Sequence, residues 1–175
     1  MFESINFRNC EVLYIERDST FFKEDLLQGK FPNSRLIDVG WYGDDFCIQV
    51  IEDFNWENPS YKLNISKIEC MEKVVQDFID YETIEYPDEI SSLFCSLKKL
   101  IRAREGNQQQ CLDEATEILK ELHSLGLDQN EVANYIGTYA LQYREDNEDN
   151  WNFARDLLDL ITGVCAPQKH IWRSN

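Results

Sequence analysis

Apolar and polar residues alternate over the stretch 35–63, and this alternation is the clearest pattern in the chain. The runs 35–42 and 46–51 both show it, and the turn-forming sequence Gly43-Asp44-Asp45 lies between them. A period of two is typical of a half-buried strand, and glycine next to aspartate favours a tight turn. The stretch therefore predicts a β-hairpin at the centre of a small antiparallel sheet.

Further elements are predicted on both sides of this hairpin. Residues 12–15 and 61–65 have the apolar pattern of strands, and the loop 52–60 leads into the second of these. A short helix is predicted over 18–28, because a capping residue precedes apolar residues at helical spacing and Gly29 would end it. The first part of the chain is therefore predicted to mix strands and helices.

From residue 66 onward the apolar period becomes helical. The sequences Ser66-x-x-Glu69 and Asp128-x-x-Glu131 match a capping box, in which a side chain at each end of the first turn satisfies a backbone N–H group. The predicted helices cover approximately 66–81, 87–104, 108–125, 128–143 and 151–163.

These elements predict an α+β fold, with a small antiparallel β-meander and its covering helices followed by a mainly helical C-terminal half. We predict an α+β part over 1–85 and a helical bundle over 86–175, packed as one compact unit. The helical segments share no signature at a fixed period, which argues against a tetratricopeptide-like array.

The charge of the chain narrows the classes of partner. The sequence holds 33 Asp+Glu against 17 Lys+Arg, for a net charge of −16, yet 43% of its residues are hydrophobic and 13% aromatic. This composition predicts a folded protein, because disordered chains have few aromatic residues. A strongly acidic surface repels nucleic acid and anionic membranes and accelerates encounter with a basic partner, although acidity can also serve solubility alone.

Features of targeting and of catalysis are sparse. No apolar run approaches the roughly 20 residues of a membrane span, and the N-terminus lacks the pattern of a signal peptide, so a cytoplasmic protein is expected. The six cysteines are scattered without metal-ligand spacing, and only His123 and His170 could serve histidine chemistry. We therefore expect no enzyme, no cofactor and no metal. No feature specifies an oligomeric state.

Aromatic residues close to acidic residues in loops are the candidate partner-binding groups. An aromatic anchor surrounded by acidic residues is what a contact with a basic surface requires, although Trp41 also suits the core. The candidates in the hairpin and loop are Asp44, Asp45, Asp53, Trp56 and Glu57. A second candidate surface is the acidic run Glu145, Asp146, Glu148 and Asp149.

Four segments of the sequence resemble a known family. They are Asp38-Val39-Gly40-Trp41-Tyr42, Phe46-Cys47-Ile48-Gln49-Val50, Trp56-Glu57-Asn58-Pro59 and Leu160-Ile161-Thr162-Gly163-Val164-Cys165-Ala166-Pro167. The chain resembles the immunity proteins of bacterial contact-dependent growth inhibition and related polymorphic toxin systems. The resemblance implies an acidic cytoplasmic protein that binds the toxic C-terminal domain of a cognate effector and blocks its active site or substrate surface.

Charge and resemblance lead to one functional hypothesis with two alternatives. Many such toxins are nucleases with basic substrate grooves, so the hypothesis is a protein that neutralises a toxin domain by occlusion and without chemistry. The first alternative is an acidic inhibitor or regulator that mimics nucleic acid against a DNA- or RNA-binding enzyme. The second is a hydrolase that uses clustered carboxylates and a divalent metal.

Overall fold

The computed structural model of the protein describes residues 1–18, 20, 22, 24–102, 107–144, 147–164 and 167–172. The chain forms two compact units, Met1–Glu85 and Tyr86–Asn175. The described residues of the first unit form an antiparallel sheet and one helix, and those of the second are mainly helical. The predicted α+β fold class is confirmed.

The first unit is built on a five-stranded meander in which each strand pairs with its neighbours along the chain. The strands are β1 (Glu11–Ile15), β2 (Leu27–Lys30), β3 (Leu36–Tyr42), β4 (Asp45–Ile51) and β5 (Tyr61–Ile65). All four pairings are antiparallel, and the predicted hairpin is the β3–β4 pair. Only short connections are needed for this topology, as expected for successive antiparallel strands.

Alternate residues of the central strands form the core of this unit. Ile37 pairs with Val50 across β3 and β4, and both are at most 1% exposed. Helix α1 (Ile68–Glu82) packs against β4 and β5, where the rings of Tyr61 and Phe78 lie 4.4 Å apart. The face that carries Ile37 and Val50 is buried, as the period of two predicts. The opposite face of the hairpin is largely buried as well, with Asp38, Cys47 and Ile51 at most 3% exposed, so the prediction of half-buried strands is wrong here.

The predicted helix over 18–28 is wrong. The described residues between β1 and β2 are not helical, and the last two residues of the predicted segment, Leu27 and Gln28, belong to β2. Gly29, the predicted helix stop, is instead a strand residue with Val12 and Ile37 as its partners on either side. Pairing on both sides is a tertiary constraint, and it overrides the apolar spacing that had favoured a helix.

The second unit contains the four helices α2 (Asp88–Arg102), α3 (Gln108–Ser124), α4 (Gln129–Ala140) and α5 (Glu148–Thr162) in its described part. Each buries the predicted apolar stripe, as the fully buried Leu97, Leu119, Ile136 and Leu157 show. Helix α5 ends at Gly163, whose φ of 69° is the left-handed conformation that favours glycine. The predicted end of the helix over 87–104 lies outside the described residues.

The two predicted capping boxes have different outcomes. Asp128 caps α4 by accepting hydrogen bonds from two backbone N–H groups of the first turn, while the Glu131 carboxylate accepts one from the Tyr86 hydroxyl. The prediction for Ser66 is wrong, because α1 begins one residue later. Lys67 occupies its N-cap and supplies no side-chain hydrogen bond.

Candidate functional site

The structure separates the predicted contact residues of the first unit into two groups. Strand β4 begins beside the turn 43–44 and ends beside the loop 52–60, here called the β4–β5 loop. Its seven residues span about 20 Å at the rise of an extended chain. Asp44 and Asp45 therefore lie at one end of the strand, and Asp53, Trp56 and Glu57 lie at the other.

The β4–β5 loop presents two aromatic side chains to solvent. Phe54 is 73% exposed and Trp56 is 47% exposed, and the flanking Asp53 and Glu57 are also exposed. Phe54 was not among the residues predicted from the sequence, although its position between Asp53 and a turn-forming asparagine was a usable signal. An exposed aromatic pair with adjacent carboxylates is suited to contact with a basic protein surface.

Hydrogen bonds within the β4–β5 loop fix its path. The Asn55 N–H donates to the Glu52 carbonyl oxygen at 2.9 Å, and the Ser60 N–H donates to the Val50 carbonyl oxygen at 2.8 Å. The second of these bonds closes the loop at its base. The loop is therefore shaped by its own backbone before any partner binds.

Two consecutive residues of this loop adopt a strained conformation. Asp53 has φ 51° and Phe54 has φ 57°, both in the left-handed region. A bulky residue such as phenylalanine rarely adopts this conformation, which costs about 1–2 kcal/mol for a residue with a Cβ atom. Such strain is concentrated at functional sites in proteins, and here it coincides with the most exposed aromatic side chain of the loop.

Arg35 connects the base of the β4–β5 loop to the end of α1. Its guanidinium lies 3.2 Å from a carboxylate oxygen of Glu52 and 2.8 Å from one of Glu82. The Glu82 side chain is only 5% exposed, so this ion pair is shielded from solvent more than an ordinary surface pair. One loop carboxylate is therefore compensated within the protein, while Asp53 and Glu57 remain exposed to a partner.

An open recess of ≈ 610 Å³ lies beside the C-terminal end of β3. Its lining residues, here called the aromatic recess, are Tyr14, Phe22, Glu24, Asp25 and Trp41. The Trp41 ring stacks on Phe22 at 4.6 Å between centroids and meets Phe46 edge-on at 4.7 Å. Trp41 thus packs on a core residue and also lines an accessible surface. This position is compatible with both predictions for Trp41, as a core residue and as a partner contact.

Gly40 determines where the acidic residues of the recess lie. The Leu26 N–H donates to the Val39 carbonyl oxygen at 2.8 Å, which brings the preceding residues across β3. A Cβ atom at position 40 would overlap the carbonyl oxygen of Glu24 and lie 2.6 Å from the Tyr42 ring. Only glycine allows this approach, so Glu24 and Asp25 owe their position to it.

Carboxylates produce a negative field at this end of the sheet. Asp38 is 3% exposed and accepts a hydrogen bond from Gln28 Nε2 at 2.9 Å, and its pKa is raised by burial and by the charge of Asp25. The pKa of Tyr42 is also raised, first by partial burial and then by Asp38 and Asp25. Both raised pKa values indicate an environment that disfavours the negatively charged form of these side chains.

The second predicted acidic surface belongs in part to a helix. Glu148 and Asp149 are exposed in the first turn of α5, which Asn147 caps by accepting from the Asn150 N–H at 3.0 Å. Acidic side chains in a first turn stabilise a helix through its dipole, so these two have a structural role. The other two predicted members, Glu145 and Asp146, lie outside the described residues.

Groups suited to catalysis are few in the described part of the chain. Among these residues, no cluster of three or more His, Cys, Asp or Glu could hold a metal ion. Burial raises the pKa of Cys10 to about 11, so this thiol is protonated at neutral pH. Of the other described cysteines, Cys47 and Cys111 are buried, and Cys70 and Cys95 are exposed.

None of the helices in the described ranges is long and apolar enough to span a membrane. Comparison with known protein families, curated proteins and solved structures found no match.

Proposed function

We propose that this protein is an immunity protein that binds a cognate toxin domain, a basic nuclease, and occludes its active site or substrate surface in the cytoplasm. The observation that carries the proposal is the pair of exposed aromatic side chains, Phe54 and Trp56, held between Asp53 and Glu57. Neither nucleic acid nor membrane is a partner in this proposal, because a chain of net charge −16 repels both.

Two kinds of contact would contribute to this occlusion. Phe54 and Trp56 would bury apolar area in the partner, as aromatic residues do at the centres of tight interfaces. Asp53 and Glu57 would take positions that substrate phosphates otherwise occupy in a basic groove. The net negative charge would also steer the two proteins together and raise the rate of association.

The shape of the β4–β5 loop supports high affinity. Binding is weakened by the entropy lost when a loop becomes ordered, and a loop already fixed by internal hydrogen bonds loses less. The bonds of Asn55 and Ser60 and the Arg35–Glu52 ion pair provide this order. Phe54 has a left-handed backbone conformation and an exposed side chain. The backbone strain of this conformation is already present in the free protein, so it does not weaken binding.

The test uses the toxin domain expected beside this gene. If the reading frame immediately upstream encodes a secreted protein with a variable C-terminal domain, that domain is purified and titrated with the full chain by calorimetry, in parallel with a nuclease assay. We expect a 1:1 complex and loss of nuclease activity. The double variant Phe54→Ser/Trp56→Ser should bind at least about 100-fold more weakly, since hot-spot residues contribute about 2 kcal/mol or more each.

A control double variant removes two exposed apolar side chains elsewhere. Leu125 and Val164 are 39% and 78% exposed in the second unit, and the variant Leu125→Ser/Val164→Ser should bind and inhibit like the unmodified chain. Equal losses in both double variants would contradict the assignment of the β4–β5 loop. Absence of binding by the unmodified chain would contradict the immunity function itself and favour the nucleic-acid mimic.

A further inference from the structure

The aromatic recess has the composition of a binding site for an organic cation. Three aromatic residues, Tyr14, Phe22 and Trp41, line it together with the acidic residues Glu24 and Asp25. Aromatic faces attract cations, and carboxylates accept paired hydrogen bonds from a guanidinium group. We infer that the recess binds an arginine side chain of a protein partner, at a site separate from the β4–β5 loop.

The recess is accessible and its aromatic platform is already formed. Phe22 is 44% exposed and Tyr14 is 39% exposed, and Glu24 and Asp25 are exposed as well. Phe22 rests on Trp41, which in turn rests on the buried Phe46, so the platform is supported from the core. A partner side chain can therefore stack on rings that do not need to rearrange.

Charge identifies the class of ligand. Glu24 and Asp25 make the recess negative. The pKa of the neighbouring Tyr42 is raised first by its partial burial and then by carboxylates that include Asp25 and Glu24. An anionic ligand such as a phosphate or a lipid headgroup would be repelled. Arginine fits better than lysine, because its planar guanidinium stacks on a ring while it binds a carboxylate and is less strongly hydrated.

This inference goes beyond the proposed function, since it concerns the other end of β4 and its test requires no toxin domain. The probe is the tripeptide acetyl-Gly-Arg-Gly-amide, titrated into the ¹⁵N-labelled full chain while the indole N–H resonances of the four tryptophans are followed by NMR. The resonance of Trp41 is identified by its absence in Trp41→Phe. A saturable shift confined to Trp41 is expected, with a dissociation constant on the order of 10 mM.

Two further titrations examine the chemistry of the ligand. The same peptide with citrulline, which is nearly isosteric and uncharged, should cause no saturable shift of Trp41. The lysine peptide should bind several-fold more weakly than the arginine peptide. An equal response to citrulline, or no response of Trp41 to the arginine peptide, would overturn the inference.

A pair of charge variants tests the position of the site. Glu24→Gln/Asp25→Asn should weaken binding of the arginine peptide about tenfold by removing the carboxylates of the recess. Asp44→Asn/Asp45→Asn removes the same charge close by, at residues that do not line the recess, and should leave the affinity within about twofold. Equal weakening in both would indicate attraction by the general field and would contradict a site in the recess. Retained amide dispersion shows that each variant is folded.

Discussion

Gly40 is the residue on which the arrangement of the aromatic recess depends. Its missing side chain allows the Glu24 carbonyl to lie against β3, and backbone atoms cannot move aside as a flexible side chain can. The glycine is therefore required for a close approach of two chain segments. The residues next to Gly40 do not reveal this role, because the segment that approaches it comes from a different part of the chain.

Substitution of this glycine should destabilise the protein. We expect Gly40→Ala to lower the free energy of unfolding by about 1–3 kcal/mol, the usual cost of forcing extra atoms into a filled site. Gly137→Ala is the control, since that glycine lies within α4 with no atom near its absent Cβ. It should raise the free energy of unfolding by about 0.5–1 kcal/mol through helix propensity. Urea denaturation measures both, and equal effects would contradict the close approach.

Asp38 provides a prediction on pH. Its pKa in the folded protein is raised above the ordinary 3.8, mainly by burial, so folding disfavours the ionised carboxyl. The contribution of protonated Asp38 to the free energy of unfolding is fully present below pH 3.8 and is lost as the pH rises through the folded-state pKa. Asp38→Asn, which can still accept the hydrogen bond from Gln28, should be more stable than the unmodified chain at pH 7. The difference should vanish at pH 3.

This prediction is checked by urea denaturation of both proteins between pH 3 and pH 7. The other titrating groups are common to the two chains, so the difference in unfolding free energy isolates position 38. A difference that stays constant over the whole range would show that the amide acts through packing and not through charge.

At the scale of elements, the N-termini of α1 and α4 differ from each other in capping, although both sequences match a capping box. Asp128 caps α4, whereas Lys67, at the N-cap of α1, has extended backbone angles, φ −111° and ψ 128°, and supplies no side-chain cap. These angles suit a capping serine. We expect Asp128→Ala to lower the free energy of unfolding by about 1 kcal/mol and Lys67→Ser to raise it by about 0.5–1 kcal/mol.

The control for the second variant is Lys67→Ala, which removes the same charge and adds no cap. It should lie within about 0.5 kcal/mol of the unmodified chain, as most surface substitutions do. Thermal denaturation at one ionic strength compares all four proteins. If Lys67→Ser and Lys67→Ala behave alike, the missing cap does not limit the stability of α1.

Sequence patterns predicted the elements that are locally encoded. Strands β3, β4 and β5 and the five helices follow from their own apolar periods, and Gly163 ends α5 as expected. The four-residue β2 was missed, because its pairing with β1 and β3 is decided by distant residues. The same reason hid the aromatic recess, whose rings come from β1, β3 and the segment between β1 and β2. The β4–β5 loop is contiguous in sequence, so its bounds and its candidate contact residues could be predicted, except for Phe54.

The net charge acts over the whole molecule. Charge variants at the two ends of β4 separate this general effect from direct contact with a partner. Asp53→Lys/Glu57→Lys and Asp44→Lys/Asp45→Lys change the net charge equally at opposite ends of β4. If the β4–β5 loop meets the toxin domain, the first variant should slow association at least about tenfold and flatten its salt dependence. The second should slow association only a few-fold at low salt, through the general field.

Stopped-flow association at several salt concentrations separates these effects. At 0.5 M salt, where charges more than about 5 Å apart are screened, the second variant should associate at the rate of the unmodified chain. Equal slowing by both variants at every salt concentration would mean that both ends contact the partner. That result is the one expected of a nucleic-acid mimic with charge distributed over its surface.

The closed base of the β4–β5 loop makes it an exchangeable module. The Ser60 N–H to Val50 bond ends the loop where the regular β4–β5 ladder begins, with Val50 and Tyr61 paired and buried. The exposed residues 52–58 inside that bond can change in identity or number without disturbing the core, since longer surface loops add little to the cost of closure. A family of such proteins could therefore diversify its targets by replacing one surface segment while a single scaffold is retained.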